Sequence, residues 1–377
     1  MNILRVQRLG AFLVGLLLGA CSSKSLPLPA GDFAALARST EGFAVALPGY
    51  EMEFPRDHGP HSAYRIEWWY LSANLQDTSG RPYGVQWTLF RLAMQPSEVP
   101  EPINPWQGKQ VYMAHIALSW PEGHAGFQRY ARGGDHGGLA QAGASAAPFS
   151  VWLDDWALQS TGMQWLPLEV HARQDNFAFQ LSMDSQQPLI LQGEAGFSQK
   201  HPDGSGSLYY SQPFLQATGS LTIDGEDIPV QGEAWLDREW SSHFLQPDQA
   251  GWDWFALHLE SGEKLMLYRL RPLEGAFSQA LFQFGVLISP DGGKTPLKGS
   301  LIRFDPLRIE RVADRELPVS WRIGLPEISR EFQVRALIPG QWMNVDFAYW
   351  EGAVVVEGDN AGSRGRGYLE MTGYPSR

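Results

Sequence analysis

Cysteine and basic residues are both scarce in this sequence. The chain has one cysteine, Cys21, among 377 residues. A single thiol cannot form an intramolecular disulfide or a thiolate metal cluster, which excludes disulfide-stabilised domains and cysteine-based zinc sites. The 29 Lys and Arg residues stand against 41 Asp and Glu, for a formal net charge of −12. Because binding to a phosphate backbone needs a basic face, we expect no nucleic-acid partner.

Long hydrophobic runs are also lacking. The longest apolar stretch, residues 11–20, follows Arg5 and Arg8 and is too short to cross a bilayer as a helix. Its basic flank and small-residue end are typical of a secretory signal. We therefore expect residues 1–20 to be a signal peptide and residues 21–50 a tether.

The end of the signal, Leu18-Gly19-Ala20-Cys21, resembles a bacterial lipobox. The resemblance implies that Cys21 is lipidated and becomes the first mature residue, so that the protein is held at a membrane of the cell envelope. Ser22, rather than Asp, follows the cysteine, which by the same resemblance favours the periplasmic face of the outer membrane. The alternative is an ordinary signal with an incidental cysteine.

Common catalytic signatures are missing as well. The sequence contains no G-x-S-x-G, H-E-x-x-H, P-loop or G-x-G-x-x-G motif, which disfavours serine hydrolases, zincins and nucleotide-binding enzymes. His58 and His61, with Glu67 downstream, could supply half of a metal site, but such a pair near a loop is more often solvated. We expect neither a metal nor a cofactor.

The turn residues and aromatics that are present favour strands. Aromatic residues make up 12% of the chain, beside 40 Gly and 26 Pro, and no heptad or long helical stripe occurs. Short apolar or alternating runs predict strands at residues 68–74, 83–92, 111–120, 177–183, 254–259, 264–271 and 281–288. Turn sequences separate them, such as Asp224-Gly225 and Asp291-Gly292-Gly293. The spacing is typical of antiparallel meanders closed into barrels or sandwiches.

The length suggests about two domains. We expect an N-terminal domain over residues 51–245 and a C-terminal domain over residues 246–377, with the boundary near Pro247. Residues 95–108 are rich in proline and residues 133–148 in glycine and alanine, and both are predicted to be surface loops.

Four runs combine aromatic residues with carboxylates. They are Glu67-Trp68-Trp69-Tyr70, the segment 232–242, the segment 252–258, and Tyr349-Trp350-Glu351-Gly352 followed by residues 367–374. In a strand, Glu233, Trp235, Asp237 and Glu239 share one side. That side is either a polar outer surface or a charged row facing a barrel lumen, where it would need partners or a ligand.

These runs, in this order, resemble the carotenoid 1,2-hydratase-like family, in its secreted AttH-type branch often described as predicted secreted hydrolases. The similarity extends from about Pro55 to the C-terminus. It implies an all-β fold of two tandem lipocalin-like antiparallel barrels with an apolar pocket at or between them. Relatives include hydratases that act on isoprenoid double bonds and proteins that fold polyenes for cyclisation.

The resemblance also implies a site. The hydratases carry a carboxylic acid in an aromatic-x-Asp motif, which Trp235-Leu236-Asp237 matches. Protonating an alkene needs a carboxyl that is kept protonated and aromatic faces that stabilise the cation. Asp237 is thus the candidate acid, and Glu239 its companion or a water-orienting base. The candidate substrate-binding residues are Glu67, Trp69, Tyr70, Tyr209, Trp235, Asp253 and Trp254.

Structural roles are the alternative for each of these residues. Large indoles are often buried in cores wherever they fall. Arg238, Arg269 and Arg271 could form structural ion pairs with the candidate carboxylates. Two functional classes therefore remain open: an enzyme acting on a lipophilic ligand, or a non-catalytic lipophile carrier or accessory lipoprotein of a membrane transporter.

Overall fold

The computed structural model describes residues 40–96, 109–133, 141–243, 245–273, 279–358, 360 and 362–376. The signal peptide, Cys21 and most of the tether lie outside these residues, as does most of the segment 95–108. The helices described are short 3-10 segments at Arg56–His58, Gly299–Leu301 and Pro326–Ile328. None of the described helices has the length and apolar character needed to cross a membrane.

The first sheet is antiparallel and nearly closed. Its strands are β1 (Ile66–Gln76), β2 (Pro82–Ala93), β3 (Gln110–Trp120), β4 (Gly123–Arg132), β5 (Ala142–Ala146), β6 (Phe149–Leu153), β7 (Trp156–Ser160), β8 (Leu168–Gln174), β9 (Phe177–Asp184), β10 (Ile190–Leu191), β11 (Phe197–Gln199), β12 (Gly206–Ile223) and β13 (Glu226–Ser241). The order is β4-β3-β2-β1-β13-β12-β9-β8-β7-β6-β5, with β10 and β11 also paired to β12. A bridge between Gly133 and Ala142 brings the two edges together.

The second sheet is an antiparallel half-barrel. Its strands are β14 (Gln249–Leu259), β15 (Lys264–Pro272), β16 (Phe282–Ile288), β17 (Lys294–Leu297), β18 (Arg303–Val312), β19 (Arg315–Leu325), β20 (Arg330–Ala336), β21 (Trp342–Met343), β22 (Tyr349–Glu357) and β23 (Gly365–Met371). The order is β17-β16-β15-β14-β23-β22-β20-β19-β18, with β21 on β22. The expected all-β fold of two tandem antiparallel barrel domains is confirmed.

Side-chain alternation explains how each sheet forms a core. On β1, Trp69 and Leu71 point inward with Leu236 of β13, whereas Phe255 of β14 and Leu369 of β23 are in the core of the second sheet. Every strand predicted above overlaps a strand of the structure. The turn Asp224-Gly225 joins β12 to β13 with φ values of +51° and +84°, a backbone that Gly adopts readily.

One predicted loop contains a strand. In the segment 133–148, residues 142–146 form β5 at the edge of the first sheet. Gly143 is paired with Trp152, and a Cβ at position 143 would lie 2.6 Å from the Trp152 ring. Gly143, one of the small residues that suggested a loop, therefore leaves room for the Trp152 indole beside the edge strand β5.

The two sheets pack against each other through their outer faces. The chain passes from the first sheet to the second between Ser241 and Gln249. Gly84 of β2 lies at a close approach between the sheets, since a Cβ there would be 2.6 Å from the Tyr368 hydroxyl and 2.8 Å from the Ala353 Cβ. Polar and aromatic side chains from both sheets also lie in the seam between the sheets.

Candidate active site

A cavity of about 110 Å³ lies in this seam. Its polar lining includes the carboxyls of Asp237, Glu239 and Glu370 and the ammonium group of Lys200. Aromatic side chains from both sheets form most of the remaining wall: Trp68, Tyr70, Phe90, Tyr209, Trp252, Trp254, Tyr268 and Tyr349. An enclosure that is mostly apolar with a few convergent polar groups is typical of a small-molecule site.

Strand register positions the first-sheet part of the cavity. Asp237 of β13 is flanked by its cross-strand partners Tyr70 of β1 and Ser211 of β12. Two residues along the same strand, Glu239 is flanked by Trp68 and Tyr209. Directly opposed residues project to the same face of a sheet, so these two rows enter the cavity together.

The Asp237 carboxyl is buried and accepts three hydrogen bonds. The Tyr209 hydroxyl donates to Oδ2 at 2.8 Å, Trp235 Nε1 donates to Oδ1 at 2.7 Å, and Ser211 Oγ also donates to Oδ1. The residue is only 3% exposed. Burial raises the pKa of Asp237 to about 7, with a smaller contribution from nearby Glu239, although the three hydrogen bonds act in the opposite direction. The carboxyl therefore holds its proton to much higher pH than an ordinary aspartate.

Glu239 is in a different electrostatic setting from Asp237. Its Oε1 lies 3.1 Å from Lys200 Nζ and accepts a hydrogen bond from Ser207 Oγ. The Lys200 ammonium also lies over the Tyr268 ring, 4.2 Å from its centre. Burial has the largest single effect and lowers the pKa of Lys200, but Glu239, Tyr268 and Asp237 together outweigh it and the net shift is upward. The two neighbouring carboxyls thus differ: Glu239 is ion-paired, whereas Asp237 has only neutral donors.

Aromatic contacts surround Asp237. Trp254 meets Tyr70 edge-on at 5.2 Å between ring centres and Trp235 edge-on at 6.3 Å. Trp235 is fully buried, so its role in the site is to donate to Asp237. The structure therefore brings together Asp237, Glu239, Tyr70, Tyr209 and Trp254 at the cavity, with Trp235 behind them.

Glu67 and Trp69 do not reach the cavity. They alternate with Trp68 and Tyr70 along β1 and so point to the other face of the sheet. Glu67 accepts hydrogen bonds from Arg91 Nε and Arg238 Nη2, and Trp69 Nε1 donates to the His58 carbonyl at 2.9 Å. The sequence-based set had grouped adjacent residues that a strand places on opposite sides.

Asp253 is absent from the cavity for the same reason. It faces the core of the second sheet, 2.7 Å from Arg269 Nε and 3.3 Å from Arg271 Nε, and accepts a hydrogen bond from the Tyr374 hydroxyl at 2.9 Å. This is the structural ion pair considered as the alternative for its carboxylate. Arg238, by contrast, pairs with Glu67 and not with Asp237 or Glu239.

His58 and His61, considered above as half of a metal site, make local contacts with other side chains. His58 Nδ1 lies 2.7 Å from the Tyr210 hydroxyl and its ring stacks on Trp165. His61 lies between Asp57 and Glu67, at 3.3 Å and 3.2 Å. Among the described residues, no group of three or more His, Cys, Asp or Glu side chains is placed to hold a metal ion.

Several cavity residues were absent from the sequence-based set. Trp68 and Trp252 could have been found by applying strand alternation outward from Tyr70 and Trp254. Glu370 lies in a motif that was noted but given no role. Lys200 has no local signal: it follows β11, and the pairing of β11 with β12 in the first sheet brings it to Glu239 on β13.

Comparison with known proteins places the chain in a family. A model of the AttH-like family matches residues 45–374. The chain belongs to the AttH-like family. The resemblance expected from the aromatic and carboxylate motifs is thereby confirmed.

Solved structures agree with this assignment. A crystal structure described as an AttH protein of Nitrosomonas europaea is 35% identical to the AttH-like chain, with a TM-score of 0.76, and the match covers 88% of this chain and 100% of that one. Kievitone hydratase from Nectria haematococca shares the fold at 18% identity, with a TM-score of 0.61 and coverage of 89% and 97%. CghA with Sch210972 does so at 14% identity, with a TM-score of 0.53 and the same coverage. None of the curated proteins matches the chain.

Proposed function

We propose that the AttH-like chain is a hydratase- or hydrolase-like enzyme that binds a lipophilic, isoprenoid or polyene-like molecule between its two sheets. The observation that carries the proposal is the Asp237 carboxyl. It is enclosed by aromatic rings and has a pKa raised by burial to about 7. A carboxyl of this kind supplies an acidic proton at neutral pH, which an ordinary aspartate does not.

The proposed reaction is the addition of water to an alkene. The Asp237 O–H bond breaks, a C–H bond forms at one alkene carbon, and the other carbon becomes a tertiary cation. Water then bonds to the cationic carbon and gives its extra proton to a carboxylate. Atoms and charge balance within the site, and Asp237 is protonated again before the next turnover.

The surroundings of Asp237 favour such a cation. Tyr70, Trp254 and Trp252 present aromatic rings to the cavity, and ring faces attract cations without forming a bond to them. Tyr209, Ser211 and Trp235 each donate to the carboxyl, so they stabilise the carboxylate that remains after proton transfer. The shared fold with a protein named a hydratase is consistent with this reaction.

We also propose that the enzyme is a lipid-anchored protein of the bacterial cell envelope, facing the periplasm from the outer membrane. The support is the Leu18-Gly19-Ala20-Cys21 sequence after an apolar run. Cys21→Ser should move the protein from the membrane fraction to the soluble periplasmic fraction or stall its processing. Unchanged membrane association, with no acyl group on the mature N-terminus by mass spectrometry, would contradict the anchor.

The catalytic proposal is tested with defined isoprenoid alkenes. Full-length protein in detergent is incubated with geraniol, farnesol or squalene in ¹⁸O-labelled water, and products are analysed by mass spectrometry. We expect a labelled water adduct from at least one alkene. Asp237→Asn should reduce its formation by about 10²- to 10⁴-fold, because the amide has no acidic proton to transfer.

A cation analogue separates catalysis from binding. N,N-dimethyldodecylamine is protonated at neutral pH and mimics a tertiary carbocation on an alkyl chain; its binding is followed by tryptophan fluorescence. Asp227→Asn, an exposed change on β13, the strand that also holds Asp237, is the matched control. It should alter neither the formation of the water adduct nor the binding of the amine. Binding of the amine or the alkenes without any water adduct, in wild type as in Asp237→Asn, would favour a lipophile carrier or transporter accessory protein instead.

A further inference from the structure

Glu351 and Glu370 are two carboxyl groups that occupy directly opposed positions in one ladder. They are cross-strand partners on β22 and β23, so their side chains leave the sheet side by side on the face that meets the first sheet. Glu351 is fully buried, and Glu370 lines the cavity that also contains Asp237. Two carboxylates in this position would repel each other at short range in a site that water barely enters.

Apart from Asp237, which has only neutral donors, the other buried carboxylates of the described structure have cationic partners. Glu67 has Arg91 and Arg238, Asp253 has Arg269 and Arg271, and Glu239 has Lys200. No ion pair of Glu351 or Glu370 with a Lys, Arg or His occurs in the described part of the chain. Buried charge without a partner is costly, so the pair must lower its charge in some other way.

The hydrogen bonds around the pair show where a proton is needed. The Tyr70 hydroxyl donates to Glu351 Oε1 at 2.8 Å, and Trp252 Nε1 donates to Glu370 Oε1. Glu351 Oε2 is buried and receives no hydrogen bond from any ordinary donor of the described residues. The Glu351 carboxyl also adjoins the Glu370 carboxyl, and two carboxyls can form a hydrogen bond only if one of them is protonated.

Burial favours that protonation in both groups. Desolvation and the neighbouring Glu370 carboxyl raise the pKa of Glu351 well above its ordinary range, and burial also raises the pKa of Glu370. The titratable groups that face the pair are Tyr70 of β1, Glu239 of β13, Tyr349 of β22 and Tyr368 of β23, all neutral or anionic. Nothing among them would drive both carboxyls to ionise.

We propose that Glu351 and Glu370 share one proton and, as a pair with a single negative charge, form the base of the reaction proposed for Asp237. This deepens the proposed function and rests on it. The water that adds to the cation transfers its proton to Glu370, so the pair becomes neutral while Asp237 is left as the carboxylate. Asp237 then takes up a proton from solvent, and the Glu351–Glu370 pair releases one to solvent. Glu239 takes no part in this step and keeps its contacts with Lys200 and Ser207.

The first experiment tests the shared proton without any substrate. The melting temperature is measured from pH 5 to pH 9 in the Asp237→Asn background, alone and combined with Glu351→Gln or Glu370→Gln. Carboxyls with a raised pKa contribute stability that is present at low pH and lost as the pH rises through that pKa. The background protein should therefore lose melting temperature with rising pH, and both Gln variants should flatten the curve. Glu357→Gln, a surface change on the same strand as Glu351, should leave it unchanged.

The second experiment tests the negative charge at the cavity. Glu370→Gln should weaken binding of N,N-dimethyldodecylamine by about tenfold at pH 7, because a single opposite charge near the ammonium is lost. Binding of dodecane, which has the same chain and no charge, should be unchanged. Equal amine affinity in wild type and Glu370→Gln, or unaltered melting curves in both Gln variants, would overturn the shared-proton pair.

The third experiment assigns the base. For an alkene that the wild type hydrates, Glu370→Gln should reduce turnover at least tenfold with little change in KM, and Glu239→Gln should reduce it less. The reverse order would assign the base to Glu239 and refute this role for the pair. If the wild type hydrates no alkene, the reaction proposed for Asp237 fails and the base role with it, while the first two experiments still decide the shared proton by themselves.

Discussion

Tyr70 and Asp237 stand directly opposite each other in the β1–β13 ladder, and both side chains enter the cavity between the sheets. Tyr70 in turn donates to Glu351 of the second sheet. Tyr70 thus lies beside the candidate acid Asp237 in the first sheet and donates a hydrogen bond to one member of the Glu351–Glu370 pair in the second sheet. The candidate site exists only where the two sheets meet.

The first prediction concerns pH and the Asp237 carboxyl. Its pKa of about 7 in the folded protein exceeds the ordinary value of 3.8, so folding takes up a proton between those values. Its contribution to the free energy of unfolding is fully present below about pH 4 and is lost as the pH rises through about 7, a change on the order of 4 kcal/mol. Denaturant unfolding between pH 5 and pH 9 should show a shallower decline for Asp237→Asn than for wild type. Parallel curves would mean that the carboxyl is ionised throughout.

The second prediction concerns the hydrogen bond from Tyr209. Tyr209→Phe removes a donor that stabilises the Asp237 carboxylate, so the pKa of Asp237 should rise further and the alkaline limb of the turnover profile should move up by about one pH unit. Tyr210→Phe is the matched control. Its hydroxyl contacts His58 on the other side of β12, and the profile should not move. A shift of equal size in both variants would point to a general structural effect.

The third prediction separates Asp253 from the cavity. Asp253→Asn leaves the buried Arg269 and Arg271 without their carboxylate, which should cost about 3–5 kcal/mol of unfolding free energy. Amine binding at the cavity, measured below the unfolding transition, should be unaffected. Asp248→Asn, at an exposed carboxylate near the start of the same strand, should change stability little. Loss of binding in a still-folded Asp253→Asn protein would return Asp253 to the site.

The fourth prediction concerns the contact between the sheets. Gly84→Val places a side chain against the Tyr368 hydroxyl and the Ala353 methyl group, and should destabilise the protein by about 1–3 kcal/mol. The seam should also loosen, which limited proteolysis would detect as faster cleavage between β13 and β14. Gly162→Ala has open space around it and should leave both measurements as in wild type. Normal stability in Gly84→Val would show that the sheets are free to separate at this point.

Much of the architecture follows from the sequence alone. Period-two alternation, turn pairs such as Asp224-Gly225 and the scarcity of helical patterns determine antiparallel strands, because these are local properties of the chain. The same alternation places Trp235, Asp237 and Glu239 on one face. The ordered motifs were enough to identify the family.

Which side of a sheet faces a ligand was decided only by the tertiary structure. The sequence allowed the Asp237 face to be a solvent surface or a barrel lumen, and it is neither, because the sheets bury their outer faces against each other. Glu370 belongs to the second sheet and reaches the Asp237 site only through that packing, whereas Lys200 follows β11 of the first sheet. The proton state proposed for Glu351 and Glu370 likewise depends on burial and on having no cationic ion-pair partner among the described residues, and a sequence pattern shows neither.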